Sequence, residues 1–175
     1  MSAALATPAP TLVIGWGNPS RGDDALGWLF VQRLEAELDR LPGVELQTDF
    51  QLQVEHALDM VGRERVLFVD ASSRCAAHFE ASALAPERDA SFTTHALSPA
   101  ALMEVFGKVH GVAPPACTLL AIHGEAFELG AGVSAAAEQA LEAALGWARQ
   151  WLAAPAGNAL AWPLEALAPA LPSIA

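Results

Sequence analysis

The stretch TLVIGWGNPSRGDDALG, residues 11–27, constrains this chain more than any other. Residues 11–16 are an apolar run ending in glycine and tryptophan, the pattern of a buried first strand. Asn18, Pro19, Ser20, Arg21 and Gly22 then form a polar turn. From Asp24 onward Leu26, Leu29, Phe30, Leu34 and Leu38 include one helical face, which Pro42 and Gly43 terminate. Gly15 and Gly17 permit a tight turn and close backbone approach. Asp23 and Asp24 stand at the predicted helix start, where the macrodipole favours negative charge. Asp23 as a cap and Asp24 as a first-turn acid would explain both carboxylates. It would not explain why glycine, asparagine, proline and a further glycine are packed into the same turn.

The remainder repeats the alternation. Strands are expected at residues 44–48, 65–70 and 117–123, with a weaker one at 79–86. Helices are expected at 53–61, closed by Gly62, and from Ser98 to about Lys108, with Ser98 as N-cap and Pro99 in the first helical position. A long alanine-rich helix follows at 134–152. Residues 87–94 read as a polar loop. Short apolar strands alternating with helices predict an α/β fold: a single-domain three-layer sandwich with a mostly parallel central sheet over residues 1–154. Residues 155–175 read as a Pro/Ala-rich tail. In such a fold the site lies at the carboxyl ends of the strands. That rule selects the turn after Trp16, the strand end at Asp70 and the loop after His123.

Several function classes are disfavoured. The formal net charge is −11, from 20 acidic and 9 basic residues, so neither nucleic acid nor an anionic membrane is an expected partner, whereas a basic protein is compatible. No basic-then-apolar leader opens the chain and no stretch has the character of a membrane span, so a cytoplasmic location is expected. Cys75 and Cys117 match no zinc or redox spacing and point to a reducing compartment. Neither G-x-S-x-G nor H-E-x-x-H occurs, and Cys75 has no histidine at a recognised spacing. A dinucleotide fingerprint, and with it a nucleotide-dependent oxidoreductase, is a rival reading: Asp49 could pose as its ribose-binding acid. Ser20 breaks the third glycine position, and two acids at the helix start would repel a pyrophosphate.

The strand followed by G-x-G-N-x-x-x-x-D-[DE]-x-x-G resembles the opening signature of the [NiFe] hydrogenase maturation endopeptidases. Asp70, in LFVDA, and His95, in THALS, match that family's later strand-end aspartate and pre-helix histidine. The resemblance spans residues 11–152, and its N-terminal motif is the diagnostic part. It implies that Asp24, Asp70 and His95 bind a metal together and are the catalytic residues. The implied activity is removal of the C-terminal peptide from the nickel-loaded precursor of a hydrogenase large subunit. The nickel is then carried by the substrate, and the precursor is the partner. Two carboxylates and an imidazole suit such an ion on chemical grounds as well. The alternative is a non-catalytic, metal-dependent chaperone or binding module on the same fold.

Two features depart from the family pattern. Many relatives carry a glycine-rich loop, expected to help recognise the metal or the substrate's C-terminal region, where this chain has Asp49-Phe50-Gln51-Leu52-Gln53. Asp24 stands where many have glutamate. His56 and His123 are placed to line the site, although such residues are more often surface or satisfied polar groups. His78 and His110 carry no signal. Trp147 and Trp151, four apart, read as one apolar helix face.

Overall fold

The computed structural model describes residues 7–88 and 97–156. Five strands form one sheet in the order β2-β1-β3-β5-β4. They are β1 (Thr11–Trp16), β2 (Val44–Asp49), β3 (Arg65–Ser72), β4 (Phe79–Ala83) and β5 (Ala116–His123). β1, β2, β3 and β5 run parallel, and β4 is antiparallel to β5 at one edge. Helices α1 (Leu26–Glu35) and α4 (Ala135–Ala153) cover one face, and the shorter α2 (His56–Asp59) and α3 (Pro99–His110) cover the other. The chain is therefore the expected α/β three-layer sandwich.

Alternation along the strands divides the core in two. Val13, Leu67, Val69 and Ile122 face α1 and α4, where Phe30, Leu34, Leu141 and Trp147 fill the layer. Leu12, Ile14, Trp16, Val66 and Phe68 face α2 and α3, packing on Leu52, Met60, Leu102 and Phe106. β1 and β3 are buried on both faces, which is why they read as unbroken apolar runs. Trp147 and Trp151 do share one buried face of α4, with ring centroids 6.0 Å apart. The buried Arg65 guanidinium donates to Thr11 Oγ1 and to the carbonyls of Trp151 and Leu152. It thereby fastens the C-terminus of α4 to the first strand, where a cation also complements the helix dipole.

Ser98 caps α3 as expected, its hydroxyl accepting the Ala101 N–H at 3.1 Å. Element ends differ from the sequence reading in several places, and β3 runs two residues past its expected end at Asp70, to Ser72. Asp24 does not begin α1; it lies in a 3-10 turn, Gly22–Ala25, that precedes it. The helix expected at 53–61 shrinks to His56–Asp59, because its flanks close with i→i−3 bonds such as His56 N to Gln53 O and Val61 N to Leu58 O. The weaker strand ends at Ala83, where its pairing with Thr118 stops.

Candidate functional site

The carboxyl edge of the sheet gathers the motif residues. Trp16 and Asp49 are register partners at the ends of β1 and β2. Asp70 stands one step beyond the Gly15–Val69 pair. By strand alternation Asp49, Trp16 and Asp70 form a row on the α2/α3 side.

Asp24 is held over this edge by the turn itself. Its Oδ2 accepts the Asn18 N–H at 2.9 Å, and Asn18 Oδ1 accepts the Ser20 N–H at 2.9 Å. Gly17 has φ +136°, and a Cβ there would run into the Asp24 carbonyl oxygen. Only glycine lets the strand pass so close to the acid that follows it.

Asp70 Oδ1 accepts the Ala71 N–H at 2.8 Å. Burial pushes the Asp70 carboxyl up to about 7; the Ala71 bond opposes the rise and the Asp24 charge adds to it. Asp24 and Asp70, two of the three predicted site residues, thus both sit at this edge, on different elements, and the Asp24 charge reaches Asp70. When ionised, both carboxylates are oxygen donors of the type hard cations take. The third predicted residue, His95, lies outside the described residues. Among the described residues no group of three or more His, Cys, Asp or Glu side chains is placed to hold a metal ion.

Asp23 is the residue whose role the sequence concealed. It caps nothing on α1. Its fully buried carboxylate reaches across to the loop between β5 and α4, accepting N–H bonds from Glu125, Ala126 and Ser134 at 2.7–2.9 Å and the Ser134 hydroxyl at 2.8 Å. Burial alone would raise its pKa, but these bonds together hold it below the ordinary value. The Ser134 hydroxyl also accepts the Ala137 N–H as the N-cap of α4. Backbone bonds Gly22 N to Ala131 O, Asp23 N to Ala126 O and Gly130 N to Ser20 O continue the seam. The turn carrying Asp24 is therefore clamped between β1 and the start of α4.

His56 does line the edge. Its Nε2 lies 3.4 Å from Asp49 Oδ2, and its Nδ1 accepts the Gln53 N–H at 2.9 Å, so the ring pins the residue 49–53 loop to the end of β2. His123 closes β5, its N–H donating to the His78 carbonyl at 2.9 Å. The Nδ1 atoms of His78 and His123 and Nε2 of His110 are buried without a hydrogen-bond partner among the described residues. Both cysteines are free and buried. Burial raises the pKa of Cys75, and of Cys117 to about 12, so neither is a thiolate at neutral pH.

No family model and no curated protein matches the chain. Solved structures do. The chain is similar to the [NiFe] hydrogenase maturation protease HycI of Thermococcus kodakarensis KOD1 (TM-score 0.64, 21% identity, 83% of this chain and 93% of that one). It is similar to the hydrogenase maturating endopeptidase HybD of E. coli (TM-score 0.60, 25% identity, 79% and 88%). It is also similar to a hydrogenase 2 maturation peptidase from a Thaumarchaeota archaeon (TM-score 0.58, 23% identity, 82% and 97%). The structural neighbours of this chain are hydrogenase maturation proteases, and its fold is theirs.

Proposed function

We propose that this protein is an endopeptidase that removes the C-terminal peptide from the nickel-loaded large-subunit precursor of a [NiFe] hydrogenase. What supports this reading is the fold shared with maturation endopeptidases, together with Asp24 and Asp70 at the carboxyl edge of its sheet. In this reading Asp24, Asp70 and His95 complete the coordination of the nickel that the precursor brings, and the scissile peptide is held beside it. One water is consumed: its oxygen goes to the carbonyl carbon and a proton to the leaving amine. The buried, protonated thiols supply no alternative nucleophile.

The proposed setting is the cytoplasm. No helix among the described residues is long and apolar enough to cross a membrane. The test is incubation with purified nickel-loaded precursor, read by the mobility shift of the large subunit. Cleavage that requires nickel supports the reading. Stoichiometric binding of the nickel-loaded precursor without cleavage would replace it with a metal-dependent chaperone.

A further inference from the structure

Residues 50–61 carry both buried and exposed apolar side chains. The buried set, with Leu52, Ala57 and Met60, is part of the core. In the same segment Phe50, Val54, Leu58 and Val61 are 59%, 55%, 63% and 45% exposed. Four large apolar side chains left in water within twelve residues mark an interaction surface.

We propose that this exposed stripe is the docking surface for the protein partner whose C-terminal segment enters the site. The inference rests on the proposed function and names a recognition surface distinct from the carboxylate pair. Two observations choose this occupant. The first is continuity with the site. Phe50 follows Asp49 directly and packs against Trp28 with ring centroids 5.8 Å apart. The Asp49 carbonyl accepts both the Trp28 indole N–H and the Gly17 N–H of the motif turn. The exposed segment therefore begins at the edge that holds Asp24 and Asp70. The second is charge. Glu55 and Asp59 lie within the segment, while its neighbouring base, Arg63, is engaged by Glu45 at 2.7 Å and by the Asp59 and Ala9 carbonyls. On a chain of net charge −11, the complement is an apolar strip bordered by Lys or Arg.

The experiment uses the full chain and purified nickel-loaded precursor. Val54→Glu and Leu58→Glu place a charge on exposed positions, and an unchanged Tm shows that the fold is kept. Each variant is expected to raise KM for the precursor about tenfold or more while kcat stays within about twofold of wild type. Glu55→Lys is expected to raise KM by a smaller factor, and the penalty should shrink in high salt. Wild-type KM in both glutamate variants would overturn the proposal. So would a concentration-dependent dimer that dissociates on Leu58→Glu, which would make the stripe a self-association surface. If wild type cleaves no precursor, it is the proposed function that fails; binding of the precursor then still reports on the stripe.

Discussion

The Asp23 carboxylate accepts both the backbone N–H and the hydroxyl of Ser134, at 2.7 and 2.8 Å, across 111 residues of sequence. This link makes the N-terminus of α4 part of the scaffold that positions Asp24. Removing the carboxylate leaves three backbone donors and a hydroxyl facing a void. Asp23→Ala should therefore destabilise the fold by about 3–5 kcal/mol, and Ser134→Ala, which deletes one bond and a helix cap, by about 1–2 kcal/mol. Urea unfolding of the two variants checks the order as well as the size.

The same carboxylate sets an acid dependence. Its folded pKa lies below the ordinary value of 3.8. The unfolded chain therefore takes up the proton first as pH falls. The stability contributed by Asp23 is complete above the unfolded value and is lost as pH falls through the folded one. Stability of Asp23→Asn should fall less steeply below pH 4 than that of wild type.

Asp70 runs the other way. Its folded pKa is raised from 3.8 to about 7. The folded state keeps a proton that the unfolded chain releases, so the favourable contribution exists below the unfolded value and disappears as pH rises towards 7. Asp70→Asn removes this penalty. It should raise Tm at pH 7.5, by about 2–4 °C for each kcal/mol relieved, and flatten the stability profile between pH 4 and 7. A lowered Tm in this variant would contradict the burial and charge ascribed to Asp70. A more stable protein that no longer processes precursor is the behaviour of a residue kept for chemistry.

Gly17 is the geometric constraint on Asp24. With φ at +136° and the Asp24 carbonyl against its Cα, even alanine must displace the acid. Gly17→Ala should reduce kcat for processing at least about tenfold, and Gly17→Val should abolish it. The Asn18 amide, which donates to Asp24 Oδ2 at 2.9 Å, should lose hydrogen-exchange protection in both variants. Wild-type protection together with full activity would remove the positioning role of this turn.

The layers and their order along the chain were legible because β1, β3 and β5 are apolar runs bounded by polar or glycine-rich segments, and α4 keeps helical spacing throughout. The turn after Trp16 and the position Asp70 stood out by the rule that sites lie at the carboxyl ends of strands, whereas Asp24 itself was singled out only by the family resemblance of its turn. Asp23 was not. Its partners lie 102, 103 and 111 residues away, and next to a helix start it is indistinguishable from an ordinary cap. The exposed stripe was hidden for a different reason. In residues 50–61 the core-facing apolar residues and the exposed ones interleave, and periodicity alone does not say which set meets water. The Asp49–His56 contact depends on a loop folding back onto its own strand, which no spacing rule anticipates.

Processing itself separates ligand chemistry from nucleophile chemistry. Cys75→Ala and Cys117→Ala should retain activity, because both thiols are buried and protonated and neither is aligned with a base. Asp24→Ala and His95→Ala should lose most activity, since a methyl group cannot take a coordination position. Asp70→Asn should be impaired, because a neutral amide is a poor ligand for a divalent cation. Asp24→Glu is the discriminating substitution. Its carboxylate can still meet the Asn18 N–H but arrives one methylene further out, and the turn seats Asp24 closely. Partial activity is expected, on the order of a tenth of wild type. The mobility shift of the large-subunit precursor, with and without nickel, measures all six variants together. Equal cleavage of nickel-free precursor, or loss of activity on removing Cys75 alone, would replace nickel-centred recognition with a mechanism borne by the protein's own nucleophile.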